Sequence, residues 1–241
     1  MQGRAVAFIP SQETPVYTLM ERFNQDDDFG IPSPNLYIIC LWITALASGR
    51  YNKICSRLRR TDHHAQGGGF CASGLACEII RGLFPDNYAW ETSGEDARFL
   101  YDRTLVTKSS LSTAPPEPVQ VMTGMHQKVN RNQFASIVSR HNEDVGRRFE
   151  ETYTKANGYS TDTAYLSGLL INASDLGVSF REMAGVLADV YRELLGMTVP
   201  EELVARAVRQ PVNRPLREVV EEFGITKHTE ATDPVLEPVE A

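Results

Sequence analysis

The sequence predicts an α+β protein that is mostly helical, with one short β-hairpin. Three observations carry this. The most apolar run, Leu36 to Ala47 (LYIICLWITALA), has 12 residues, which suits a buried core helix and falls short of the roughly 18 residues that suggest a membrane span. Segments 72–84 and 179–195 place apolar side chains at helical spacing. Two short runs, 51–60 and GGGFC at 67–71, flank the polar loop TDHHAQ and can pair across it.

The elements follow in order. Residues 1–34 predict an irregular arm, because NQDDDFGIPSP at 24–34 combines an Asp run with Gly and Pro. Asn35 is a suitable cap for a helix running to Ser48, and Gly49 suits the position just past its end. After the hairpin, Leu75, Ile79, Ile80 and Leu83 form one apolar stripe on a helix that Pro85 stops. Residues 104–120 (TLVTKSSLSTAPPEPVQ) read as a linker or surface loop inside a single globular domain spanning 35–226. Residues 131–157 are polar and helix-permissive. Helices are expected over 161–174 and 179–195, the second opened by a Ser179–Glu182 capping box. Two short helices, 200–209 and 215–223, each begin at a Pro. The acidic, Pro-bearing tail 227–241 is expected to be disordered.

Composition sets limits on function. The chain has 241 residues, 42% hydrophobic and 23% charged, ordinary values for a globular protein. Its N-terminus lacks the apolar core of a signal peptide, so a cytoplasmic location is expected, with no membrane partner. Residues 1–160 carry 17 basic and 17 acidic side chains, whereas residues 161–241 carry 7 and 14. The net charge of −7 therefore lies in the last third. Nucleic-acid binding usually needs a basic stripe, and the one basic cluster is Arg50, Lys53, Arg57, Arg59 and Arg60. It suits a phosphate, an acidic partner or simply a solvated rim.

The segment GGGFCASGLACEIIRGLF at 67–84 admits three readings. Cys71 stands at the expected helix start, where the helix dipole lowers a thiol pKa. FCASGLA is similar to the FDCSGLV segment of the NlpC/P60 cysteine peptidases, displaced by one residue. That family also needs a His in a G-H-V-G-like setting, which TGMHQKV around His126 does not supply. As a metal site, the Cys spacings are C-x14-C, C-x15-C and C-x5-C, not the short pairs zinc favours. Cys55, His63 or His64, Cys71 and Cys77 converge only if the hairpin forms. The simplest reading is packing, with glycines permitting close approach and the cysteines acting as small buried hydrophobes. No metal or cofactor is therefore assigned. ASDLGVSFREMAGVL at 173–187 has helix-turn-helix spacing, but its second helix offers Arg181 and Arg192 against Glu182, Asp189 and Glu193. Packing is favoured over DNA reading on that charge.

Three segments, with a short L-R stretch between the first two, together resemble a family of small uncharacterised tailed-bacteriophage proteins. These proteins carry W-x-x-A-L-x-S-G-x-Y, then a short L-R stretch, then F-C-x-x-G-x-x-C, and close with L-N-D-x-G-x-S-F-x-E-I-A. Here they read WITALASGRY (Trp42 to Tyr51), Leu58-Arg59, FCASGLAC (Phe70 to Cys77) and SDLGVSFREMA (Ser174 to Ala184). The resemblance covers 40–84 and 165–190. Ser174 stands where the family has Asn, and Met183 where it has Ile. The resemblance implies a phage-encoded accessory protein expressed in the host cytoplasm, and assigns no activity. The leading expectation is a non-enzymatic protein that binds a host or phage protein or a small anionic ligand, with countering of host defence as one role for it. Two alternatives stand beside it: a virion structural or assembly component, and a cysteine-dependent enzyme or zinc protein centred on Cys71. An oligomer is left open. If a ligand site exists, Trp42, Tyr51, Arg59, Phe70 and Cys71 are expected to wall it, with an aromatic surface and a guanidinium suited to an anion.

Overall fold

A computed structural model describes residues 34–54, 57–60, 68–86, 88–93, 96–101, 104–105, 115–155 and 162–227. The arm before Pro34, the loop TDHHAQ, most of the loop 104–120 and the tail beyond Lys227 lie outside them. The protein is α+β and mostly helical, as its hydrophobic patterning predicts.

Helix α1 (Leu36–Ala47) opens with the Asn35 side chain accepting from the Ile38 N–H at 3.0 Å. All twelve of its residues are buried, which explains why its sequence is apolar on every face rather than on one stripe. Each large side chain so buried contributes about 1.5–3 kcal/mol. Short strands β1 (Arg59–Arg60) and β2 (Gly69–Phe70) pair antiparallel, with Arg59 opposite Phe70, so the expected hairpin exists as a minimal ladder. Helix α2 (Ala72–Leu83) follows directly.

The sheet is larger than the sequence suggested. Strands β3 (Tyr88–Ser93) and β4 (Asp96–Tyr101) extend it in the order β2-β1-β4-β3, and β5 (Thr104–Leu105) also pairs with β4. Arg60 faces Asp96 and Trp90 faces Phe99 in register. Paired and alternate residues share a face, so Phe70, Arg59, Ala97, Phe99 and Trp90 lie on one side. That side meets α2.

Part of the expected 104–120 loop is helical: α3 (Glu117–Thr123) begins there with Pro118 in its first turn, a position where the missing N–H costs nothing. Strand β6 (Lys128–Asn130) precedes the permissive stretch, which becomes α4 (Arg131–His141) and α5 (Glu143–Phe149), continued by a π-helical turn over Glu150–Lys155. Asn130 and Asn142 cap the two α-helices through their side chains. The helix expected from 161 starts later, because Thr163–Tyr165 forms β7 paired with β6; α6 is Leu166–Asp175. Helix α7 (Phe180–Asp189) opens with the full Ser179–Glu182 capping box and ends in a π-helical turn, Val190–Leu194. Helices α8 (Leu203–Arg209) and α9 (Leu216–Glu221) complete the described chain. α1 is the hub: α2, α3, α7, α8 and α9 all pack on it. No described helix is long and apolar enough to cross a membrane.

Candidate functional site

The glycine-rich segment acts first as a crossing point. A Cβ built on Gly74 would lie 1.6 Å from the carbonyl oxygen of Leu58, so the first turn of α2 runs against the backbone leading into β1. The Cys71 N–H donates to that same Leu58 oxygen at 3.2 Å. The Cys71 thiol then caps α2, accepting from the Gly74 N–H at 3.3 Å.

Cys71 is thus a buried cap and not an exposed nucleophile. Burial pushes its thiol up to about 11, against the lowering effect of the Gly74 and Ser73 N–H groups, and the Asp175 charge adds to the rise. Burial likewise raises Cys40 to about 12 and Cys77 well above its ordinary value. A small depression beside Cys71 is lined by Ala72, Ser73, Leu170, Ser174 and Asp175. Among the described residues no group of three or more His, Cys, Asp or Glu side chains is placed to hold a metal ion. Cys55, His63 and His64, named as candidate ligands, lie outside those residues.

The three segments that carry the phage resemblance meet in space. The Trp42 indole N–H donates to the Ala72 carbonyl at 2.9 Å, joining the first to the second. Lys53, just past the first, donates through Nζ to the carbonyls of Ser174 (2.9 Å) and Val178 (2.6 Å). It thereby ties the end of α6 and the turn before α7 to the chain entering the sheet. Helix α7 buries Phe180 and Met183 through Ala188.

Of the five side chains expected to wall a ligand site, the structure brings three together. Arg59 lies over two rings at once, with its guanidinium carbon 5.4 Å from the centre of Phe70 and 5.3 Å from that of Trp90. Tyr51 meets Phe70 edge-on at 5.9 Å. Trp42 stands apart in the core with no exposed surface, and its one polar atom is spent on Ala72. Cys71 is buried at the start of α2, where it caps the helix. Tyr51, Arg59 and Phe70 are all partly exposed, at the seam where the sheet meets α2.

The seam has three further members that the sequence reading did not name. Trp90 supplies the second ring, and its indole N–H donates to Glu78 on α2 at 2.7 Å. Arg81 grips the same carboxylate with two bonds, 2.9 Å from Nε and 2.6 Å from Nη2. Burial alone would raise the Glu78 carboxyl. The hydrogen bonds from Arg81 and Trp90, with the charges of Arg81 and Arg59, reverse this and hold it below its ordinary value. The Tyr51 phenol is pushed up, first by burial and then by the Glu78 charge, against the opposing charges of Arg50 and Arg81. Period-two alternation of Tyr88 and Trp90, followed by Ala97, Phe99 and Tyr101, was the available signal for the missing hairpin.

The arrangement can hold a guanidinium in a fixed orientation without neutralising it. The two ring contacts restrict Arg59, and it makes no hydrogen bond or ion pair with any described residue. No known family model, curated protein or solved structure matches the chain.

Proposed function

We propose that this is a phage-encoded, non-enzymatic accessory protein that binds a host protein or a small anionic ligand in the host cytoplasm, and that the seam around Arg59 is its recognition surface. The observation that carries the reading is the stacked Arg59: a charged side chain held by Phe70 and Trp90 at a partly exposed position. The phage context rests on the three resembling segments. The cysteine-enzyme alternative is weakened because Cys71 is buried, bonded to a backbone N–H and raised to about 11, whereas a reactive thiol needs exposure and a lowered pKa.

The test is quantitative capture from host lysate together with a ligand screen, run on the native protein and on Arg59→Gln. A saturable partner that Arg59→Gln loses supports the proposal. No saturable partner, or equal capture by both, contradicts it. Recovery of the chain as a stoichiometric component of purified particles would favour the virion reading instead.

A further inference from the structure

We infer that the edge of Arg59 receives a carboxylate or phosphate group of a small molecule, with Arg81 as the adjoining cation; this deepens the binding reading above and rests on it. The side chains of the basic cluster at 50–60 divide by what they hold. Arg50 is spent on the carbonyls of Pro211 and Arg214. Lys53 is spent on those of Ser174 and Val178. Both serve the fold, and Arg57 and Arg60 have interactions of their own. Arg59 differs in kind. Its contacts with described residues are two aromatic faces, and it makes no hydrogen bond or ion pair with any of them.

A guanidinium that spends none of its N–H groups keeps five donors in one plane, two of them parallel. That fork matches the paired oxygens of a carboxylate or phosphate. Local charge favours the same ligand. Among the described residues, the carboxylate bonded into this seam, Glu78, is engaged by two bonds from Arg81 and one from Trp90. Arg59 and Arg81 both act on Glu78 electrostatically, so the trio carries a net positive charge. Arg81 spends Nε and Nη2 on Glu78, and Nη1 has no bond to a described residue.

The experiment is a titration of the full chain at constant ionic strength with inorganic phosphate, with citrate and, separately, with a short poly-glutamate peptide. The Nε–H resonance of Arg59 and the indole N–H of Trp90 are followed by NMR. The buried indole N–H of Trp42 serves as the fold control. The expected result is a saturable shift at Arg59 and Trp90 with phosphate or citrate, half-complete below about 5 mM, a free energy of about −3 kcal/mol. Binding should weaken at least tenfold in Arg59→Gln. Arg59→Lys, which keeps the charge and loses the fork, should weaken it severalfold, with Trp42 unmoved in both variants. The inference is overturned if neither small anion gives a saturable shift, if Arg59→Gln binds as well as the native chain, or if only the peptide binds. Should the anions fail while capture from lysate remains Arg59-dependent, the inference falls and the proposed function stands.

Discussion

The carbonyl of Leu58 occupies the space where any side chain at Gly74 would have to be, 1.6 Å from an ideal Cβ. Through this crossing the glycine segment seats β1, and with it Arg59, against α2. Gly74→Ala must move backbone rather than a flexible side chain, so it should cost more than about 3 kcal/mol or prevent folding. Gly82, on the same helix, has nothing within 4 Å of its ideal Cβ, and Gly82→Ala should stabilise by about 0.5–1 kcal/mol. Urea unfolding of the pair checks this. Similar effects at both positions would contradict the crossing.

The thiols of Cys40, Cys71 and Cys77 are buried and raised. At pH 8 a thiol with its pKa near 11 is thiolate in about one molecule per thousand. Peptide mapping after iodoacetamide should find these three unmodified in the native protein and modified in urea. Cys71→Ser should keep the helix cap and change stability by less than about 1 kcal/mol, since Ser is a favoured cap. Rapid native labelling of Cys71 would reopen the catalytic reading.

Lys53 holds two carbonyls that end α6 and shape the turn into α7. Lys53→Met removes two charge-assisted bonds while keeping much of the aliphatic stem. The expected loss is about 1–3 kcal/mol, read from the denaturation midpoint at unchanged slope. A loss near zero would mean the two carbonyls are as well served by water.

His141 packs on Gly185, where an ideal Cβ would lie 2.5 Å from the ring carbon Cε1, and its Nε2 lies 2.9 Å from Asp189 Oδ2. Gly185→Ala should therefore destabilise the α4–α7 contact by about 1–3 kcal/mol. In a His141→Ala background the same substitution should cost much less, because the obstructing ring is gone. The double-mutant cycle reads the coupling directly. Additive effects would contradict the contact.

Acid should weaken the protein through its depressed carboxylates. Glu222 is held at about 2, below its ordinary 4.5, first by the hydrogen bond from Arg206 and next by that from Arg214. Glu78 is lowered too. A carboxyl depressed by folding contributes stability that is complete above its unfolded value and is lost as pH falls through its folded one. The Glu222 contribution should therefore disappear between pH 4.5 and about 2. Glu222→Gln should flatten the stability profile in that window. High salt should diminish the effect, because the group is solvent-accessible. An unchanged profile would show the Arg206–Glu222–Arg214 cluster to be inert.

The helices were legible wherever a local rule decided them. Asn35, Ser179 and Glu182 cap as their types predict, and the stripe from Leu75 to Leu83 defined α2 almost to the residue. The β3–β4 hairpin was not legible in the same way. YAWETS and DARFLY mix charges with aromatics, and β4 is held between partners on both sides, a tertiary circumstance outweighing local propensity. The candidate site was half legible. Tyr51, Arg59 and Phe70 are close in sequence and meet in space. Trp42 was expected to supply aromatic surface to the wall, but α1 is buried on all faces and leaves it none. Trp90 and Glu78 join the seam only through sheet register and helix docking, which no short-range pattern encodes.

The central claim is that Arg59 holds a small anion. Native mass spectrometry of the full chain with citrate added in excess, beside Arg59→Gln treated identically, tests it most directly. The account predicts excess mass on the native protein that Arg59→Gln lacks. A bare mass for both, or the same excess on both, would contradict it.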